Sequence, residues 1–135
     1  MKILPVIICG GAGTRLFAES KNNLPKQFVD FGNWTMFQKT LDRINSKIYL
    51  PPIISTNIKY LSLVKKYLKK YKINKYKIVL EPFKKNTASA ILSTSLLKFI
   101  KSSQPIIFLP SDQLISDKIK FNLAVKRNAK KIQYK

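Results

Sequence analysis

Residues suited to phosphate chemistry are concentrated near the start of the chain. Three of the four glycines, Gly10, Gly11 and Gly13, directly follow an apolar run, and Arg15 and Lys26 come shortly afterwards. Glycine permits backbone dihedral angles closed to other residues and lets a ligand approach the main chain. Successive amides in such a turn form a concavity for phosphate, whose charge a guanidinium and an ammonium would balance. The stretch therefore indicates a phosphate-binding turn.

The glycine spacing is not specific when taken alone. It is neither the dinucleotide pattern G-x-G-x-x-G nor a P-loop, and a tight turn after a strand explains it about as well. Lys26 follows Pro25, which would hold the backbone and aim the side chain. Without the glycines, Lys26 would be interpreted as one more surface lysine.

Two carboxylates, Glu81 and Asp112, are predicted to follow strands. Asp112 is one of six acidic residues and could bind Mg²⁺, which prefers oxygen ligands and substrate phosphates, or could simply occupy a turn. Glu81 is either a carboxylate that recognises a base or the partner of a nearby lysine. Asn86 and Thr87 would cap a helix or contact a nucleotide.

Several classes of site are excluded or disfavoured by the composition. The chain has no histidine, so a histidine-based triad or a histidine-ligated metal is impossible. The single cysteine, Cys9, ends an apolar run and is interpreted as a packing residue. One cysteine allows no disulfide within the chain, and we identify no export signal or span; we therefore expect a cytoplasmic protein.

The charge is strongly positive, with 26 basic and 6 acidic residues and a net charge of +20. Such a balance attracts polyanions. However, the excess is mostly lysine, and Lys65, Lys66, Lys69 and Lys70 lie at helical spacing opposite apolar residues. This pattern is typical of the solvated face of a helix. We therefore attribute the excess of lysine to an AT-rich coding sequence and not to a groove that binds nucleic acid.

The hydrophobic pattern predicts four strands and four helices in strict alternation, within one domain of 135 residues. The strands are Ile3 to Cys9, Pro52 to Thr56, Tyr76 to Leu80 and Pro105 to Leu109. The helices are Asn33 to Ser46, Lys59 to Tyr71, Thr87 to Lys101 and Lys118 to Tyr134. This order implies a parallel α/β sheet covered on both faces, with ligands bound beyond the carboxyl ends of the strands.

Three motifs together resemble the sugar nucleotidyltransferase family, and most closely its mannose-1-phosphate guanylyltransferase branch. The first is Gly10-Gly-Ala-Gly-Thr-Arg-Leu16 followed by Pro25-Lys-Gln-Phe28. The second is Glu81-Pro-Phe-Lys-Lys-Asn-Thr-Ala88, and the third is Pro110-Ser-Asp-Gln113. The second motif indicates the mannose branch, and it departs from the family at Lys85, where arginine is usual.

The resemblance implies a Rossmann-like, doubly wound, mostly parallel sheet of the nucleotide-diphospho-sugar transferase type. It also implies an enzyme that transfers GMP from GTP to mannose 1-phosphate, giving GDP-mannose and pyrophosphate. Arg15 and Lys26 would be catalytic and Asp112 would bind Mg²⁺. The residues implied to bind the nucleotide are Gly10, Gly11, Gly13, Thr14, Glu81, Pro82, Asn86 and Thr87.

Members of this family are longer than the present chain, and their continuation carries the sugar-phosphate pocket and a second aspartate for metal. We therefore expect residues 1–135 to be the N-terminal nucleotide-binding part of such an enzyme, truncated before the C-terminal sugar-binding part. Alone it would bind GTP weakly, if at all, and have negligible activity. A separate chain could supply the missing half.

Two alternatives stay open. One is another sugar-phosphate nucleotidyltransferase or a cytidylyltransferase, because methylerythritol-phosphate cytidylyltransferases also use a Pro-Lys-Gln segment. The other is a basic nucleic-acid-binding module, although the chain shows no aromatic and basic readout motif. We expect neither nucleic acid nor a membrane to be a partner.

Overall fold

Strands and helices alternate along the chain, as predicted. The computed structural model describes residues 2–11, 24–81 and 87–132. Its main elements are β1 Leu4–Ile8, α1 Met36–Arg43, β2 Ile53–Asn57, α2 Leu61–Lys70, β3 Lys77–Glu81, α3 Thr87–Ser95, β4 Ile106–Pro110 and α4 Lys118–Ile132. Two short 3-10 turns, Lys26–Phe28 and Ile58–Tyr60, precede α1 and α2.

The four strands form one parallel sheet in the order β3-β2-β1-β4. In its middle, Val6 of β1 pairs with Ile53 of β2 on one side and with Phe108 of β4 on the other. Along the chain, β2 pairs with β1 and β3 pairs with β2, and β4 then pairs with the opposite edge of β1. The strand order therefore reverses between β1 and β4, which opens a crevice beyond their carboxyl ends.

Apolar residues cover both faces of this sheet, so it is doubly wound. One face carries Ile7 and Ile54, which pack with residues of α1, α2 and α4. The other face carries Val6 and Ile53, which pack with Leu97 just beyond α3. Alternate residues of each strand thus enter two separate cores, as expected for strands buried on both sides.

The helices are positioned by caps and by narrow apolar stripes. Thr35 caps α1, because its hydroxyl accepts a hydrogen bond of 3.0 Å from the amide of Gln38. In α2, Val64 and Leu68 are fully buried, and the four lysines predicted to be solvated are exposed. The amphipathic interpretation of this basic helix is therefore confirmed.

The first three helices are shorter than predicted, the second least, at Leu61–Lys70 instead of Lys59 to Tyr71. The first begins at Met36 instead of Asn33, because Gly32 and Asn33 have φ angles of 81° and 73°, outside the helical region. The third ends at Ser95 instead of Lys101. Beyond Ser95 the chain turns, which lets Leu97 and Ile100 pack against the sheet. Residues 133–135, at the end of the fourth predicted helix, lie outside the described residues.

The outer strands are less covered than the apolar composition predicted. Leu80 of β3 is 42% exposed, and most residues of β4 are only half-buried. Both strands lie at an edge of the four-stranded sheet, so each has one strand neighbour. In the described ranges, no helix has the length and apolar character needed to cross a bilayer.

Candidate functional site

The glycine turn follows β1 and is anchored by a buried glutamine. Gln27 is 2% exposed, and its side-chain amide donates hydrogen bonds of 3.3 Å to the carbonyl oxygens of Cys9 and Gly11. The hydroxyl of Thr56 in β2 also donates to the Cys9 carbonyl, at 3.4 Å. The main chain leaving β1 is therefore held from two sides, with Gly10 between the two anchored carbonyls.

Lys26 lies next to this glutamine at the start of a 3-10 turn. Pro25 precedes the turn with φ of −58°, as its ring requires. Phe28 ends the turn in the main core, where it stacks on Tyr67 at a ring-centroid distance of 5.2 Å. The Tyr67 hydroxyl donates to the Phe28 carbonyl at 3.0 Å. A half-exposed lysine is thus mounted on a turn fixed on both sides.

The carboxylate of Glu81 lies against the start of the glycine turn. Glu81 ends β3, and its Oε1 accepts a hydrogen bond from the hydroxyl of Ser55 in β2. A Cβ atom on Gly10 would lie 3.4 Å from Glu81 Oε2, so the carboxylate lies within van der Waals contact of this position. The ends of β1, β2 and β3 therefore meet at one polar cluster.

Asp112 lies on the other side of β1, two residues beyond β4. The amide of Ser111 donates to the carbonyl of Ile8 at 3.1 Å, which continues the β1–β4 pairing past the strand end. Asp112 is exposed, and its charge lies close enough to raise the pKa of the Cys9 thiol slightly. Asp112 and Gln27 therefore flank the same point of β1, at the crevice created by the reversal of strand order.

A buried arginine holds the segment that carries Asp112. Arg43, at the end of α1, donates through Nη2 to the carbonyl of Gln113 at 2.8 Å. Burial lowers the pKa of Arg43, and the nearby Tyr49 opposes that shift. Burial also raises the pKa of Tyr49 to about 12, so Tyr49 is neutral at pH 7. Because arginine does not lose its proton in proteins, Arg43 is a cation that holds a neutral carbonyl.

Cys9 is a packing residue, as predicted. Its side chain is fully buried, and burial raises the pKa of its thiol to about 12. Weak hydrogen bonds with Ser111 and Gln27 oppose that shift without cancelling it. The thiolate is the nucleophilic form, so Cys9 is inert at neutral pH.

A comparison with protein families matches residues 4–134 to the family described as nucleotidyl transferase. The chain belongs to this family. Relatives of the chain include the alginate biosynthesis protein AlgA of Pseudomonas fluorescens, 34% identical over 117 residues. Another is the mannose-1-phosphate guanylyltransferase of Sinorhizobium fredii, 35% identical over 119 residues. Both alignments cover 85% of this chain but 24% and 23% of the relatives, so the chain spans about a quarter of their length.

A solved structure shares the architecture of this nucleotidyl transferase chain. The crystal structure of mannose-6-phosphate isomerase from Helicobacter pylori superimposes with a TM-score of 0.75 and 28% identity. The match covers 94% of the present chain and 45% of the other. The predicted family and the predicted Rossmann-like parallel sheet are thereby confirmed.

The described part of the chain contains six of the residues predicted from the sequence to bind nucleotide or metal or to act in catalysis. They are Gly10, Gly11, Lys26, Glu81, Thr87 and Asp112, and each ends or follows a strand, or begins a helix or 3-10 turn, at the carboxyl edge of the sheet. The other predicted residues, Gly13, Thr14, Arg15, Pro82 and Asn86, lie outside the described residues. Their roles stay predictions.

Three residues that organise the site had no predicted role. Gln27 appears in the sequence as part of the Pro-Lys-Gln-Phe motif, and its place between a proline-held turn and the core residue Phe28 is a signal for a buried amide. Ser55 and Arg43 had no sequence signal, because their partners Glu81 and Gln113 lie 26 and 70 residues away along the chain.

Proposed function

We propose that this chain is the nucleotide-binding part of a mannose-1-phosphate guanylyltransferase. The whole enzyme would transfer GMP from GTP to mannose 1-phosphate, giving GDP-mannose and pyrophosphate. The observation that carries the proposal is the polar cluster in which Gly10 lies between the Gln27 anchor and the Glu81 carboxylate. This cluster occurs in a chain 35% identical to a protein named mannose-1-phosphate guanylyltransferase.

The proposed chemistry needs positioned charge more than proton transfer. The attacking phosphate oxygen of mannose 1-phosphate is already anionic, so a chain without histidine can support the reaction. The anchored amides of Gly10 and Gly11 would hold the triphosphate, and Lys26 would offset negative charge that develops during displacement. Arg15 would add a second cation in the same role. Cys9 takes no part, because its thiol stays protonated.

Asp112 is the residue that we propose for Mg²⁺. Its exposed carboxylate offers the oxygen ligands that this ion prefers. Within the described ranges no three residues of the types His, Cys, Asp and Glu gather into a cage. The single carboxylate of Asp112 fits Mg²⁺, which typically uses one or two carboxylates together with substrate phosphates. The bound ion would neutralise triphosphate charge.

In this proposal the base is recognised on the side of the glycine turn opposite Asp112. Glu81 would accept hydrogen bonds from guanine, since a carboxylate is purely an acceptor. Thr87, which begins α3, would lie near the guanosine with Pro82 and Asn86. Guanine, unlike cytosine, presents two neighbouring donors on one edge, which favours GTP over the CTP of the cytidylyltransferase alternative.

We also propose that a separate polypeptide completes the sugar-phosphate pocket. Large apolar side chains are exposed on and after α3 and on α4, including Leu92 at 62%, Leu96 at 72%, Ile119 at 75% and Leu123 at 62%. Apolar patches of this kind mark protein contacts. In addition, β4 lies at an edge of the sheet that the described residues form, and such an edge could accept another strand. We also propose a cytoplasmic location, in keeping with the free thiol of Cys9.

A titration with GTP and Mg²⁺, followed by amide NMR, tests the nucleotide site. We expect millimolar binding that shifts the amides of Gly10, Gly11 and Lys26. Lys26→Ala should weaken binding by roughly tenfold, because it removes one charged contact. Lys47→Ala is the matched control, since Lys47 is exposed near the amino end of β1.

The outcomes separate the alternatives. Equal binding of GTP and CTP, or equal losses from both lysine variants, would contradict a guanylyltransferase site. Tight, salt-dependent RNA binding that survives Lys26→Ala would support a nucleic-acid module instead. In an assay with mannose 1-phosphate we expect negligible pyrophosphate release from this chain alone. Robust release would refute the proposal that the chain needs a further part for catalysis.

A further inference from the structure

The Ser55 hydroxyl has a specific relation to the carboxylate proposed to read the base. Ser55 is fully buried in β2, yet its hydroxyl is directed at Glu81 Oε1 at the mouth of the site. The other oxygen, Oε2, is the nearer of the two to the position that a Cβ atom on Gly10 would occupy, at 3.4 Å against 3.8 Å for Oε1. The two carboxylate oxygens are therefore not equivalent: Oε1 accepts the Ser55 hydrogen bond, and Oε2 lies slightly closer to the glycine turn.

The main chain fixes the two partners of this hydrogen bond relative to one another. Ser55 pairs with Val79 in the parallel register, and Glu81 is the next residue along β3 on the same face. The Asn57 side chain donates to the Glu81 carbonyl at 3.1 Å, which holds the end of β3. With the backbone held, the Ser55 hydroxyl determines the remaining freedom, namely the rotation of the carboxylate.

We propose that Ser55 is a positioning residue for nucleobase selection, acting through Glu81. This inference rests on the proposed guanine site. Guanine offers two adjacent donors, N1–H and the N2 amino group, whereas hypoxanthine offers N1–H and no amino group, and adenine offers a donor beside an acceptor. A carboxylate with Oε1 held by Ser55 keeps Oε2 aimed at the guanine donors. Without the hydroxyl, the carboxylate rotates and its preference for the amino group falls.

The decisive quantity is the ratio of dissociation constants for ITP and GTP, measured by amide NMR with Mg²⁺ at millimolar nucleotide. In the unaltered chain we expect GTP to bind about tenfold tighter than ITP, as for one hydrogen bond to a charged group. Ser55→Ala should bring the ratio to within about twofold, mainly by weakening GTP. Ser55→Thr keeps the hydroxyl and should retain the preference.

Thr40→Val is the matched control. Thr40 is equally buried, and its hydroxyl donates to the Met36 carbonyl within α1 instead of to Glu81. This variant removes a buried hydroxyl whose hydrogen bond lies within a helix, so it should leave the ratio unchanged. If Ser55→Ala weakens GTP and ITP equally, Ser55 is merely structural and the inference is overturned.

A second variant keeps the test decisive if Ser55→Ala does not fold. In Glu81→Gln, Ser55 would hold the amide oxygen and leave the NH₂ group facing the base. A donor would then oppose the guanine donors, so GTP should bind no better than ITP. If this variant retains the GTP preference, the amide rotates freely. That result overturns the inference about Ser55 but leaves the proposed function standing. Absence of any nucleotide binding by the unaltered chain overturns the proposed function as well.

Discussion

Gln27 has no reactive group, but it connects the two parts of the site that do. Its side-chain amide reaches the carbonyls of Cys9 and Gly11, 18 and 16 residues earlier in the chain. Its own backbone belongs to the 3-10 turn that carries Lys26. One buried amide therefore fixes a glycine turn relative to an ammonium group. Such preorganisation lowers the cost of assembling a phosphate site when the ligand arrives.

Changing Gln27 to Glu should therefore be severe at the scale of a single residue. The substitution retains the size of the side chain but replaces the donor with a buried charge facing two carbonyl oxygens. We expect the free energy of unfolding to fall by roughly 3 kcal/mol, measured by urea denaturation. Gln104→Glu is the control: Gln104 donates to the Lys2 carbonyl at the amino edge and is only half-buried. Equal losses in both variants would contradict a specific anchor at position 27.

At the scale of elements, the site depends on how β4 returns to the sheet. The placement of β4 beside β1, and not beside β3, brings Asp112 to the crevice next to the glycine turn. The Ser111 amide and the Arg43 guanidinium then hold the segment after β4. The aspartate proposed for metal is thus positioned by α1 as well as by its own strand.

Arg43→Met tests this support. Methionine retains most of the apolar stem, but it loses the hydrogen bond to Gln113 and the guanidinium that lies over the Phe121 ring. We expect a loss of about 1–2 kcal/mol in the free energy of unfolding, because the guanidinium also carries a desolvation cost. Hydrogen exchange of the Ser111 amide should accelerate.

The control for this element is Arg127→Met, which removes an exposed arginine from α4. It should leave both the unfolding free energy and the exchange of the Ser111 amide unchanged. If Arg43→Met accelerates exchange throughout the chain but not preferentially at Ser111, Arg43 stabilises the whole fold without supporting this segment in particular.

Local patterns predicted the alternation of elements and the edge that carries the site. Short apolar runs ending at Gly10, Glu81 and Pro110 are strand signals with clear stops, and the glycines and carboxylates of the site lie at such a stop or just after it. The solvated face of α2 was equally readable, since its lysines recur at helical spacing. These features depend on neighbours within a few residues.

Features that depend on distant partners could not be predicted. The strand order β3-β2-β1-β4 depends on whether β4 pairs with β1 or with β3, and no short sequence pattern encodes that pairing. The contact between Ser55 and Glu81 requires the β2–β3 register. Helix α3 ends early, at Ser95, because Leu97 and Ile100 beyond it pack into the core on one face of the sheet.

At the scale of the whole molecule, the net charge of +20 acts on folding and on ligands together. Like charges on a compact chain repel one another more than on an expanded chain, so the folded state loses stability at low ionic strength. The same field attracts triphosphates before any specific contact forms. A specific anion site and general screening would therefore both produce stabilisation by salt, and they must be separated by experiment.

The four exposed lysines of α2 allow that separation. Between 10 and 150 mM NaCl the Debye length falls from about 30 Å to about 8 Å, so the thermal midpoint of the unaltered chain should rise by roughly 3–6 °C. Replacing Lys65, Lys66, Lys69 and Lys70 by Gln removes four charges from one solvated face and should flatten this dependence. Replacing them by Arg retains the charge and should preserve it. If the Gln and Arg variants respond equally to salt, the stabilisation comes from anions bound elsewhere, and the glycine turn with Lys26 becomes the first place to look for them.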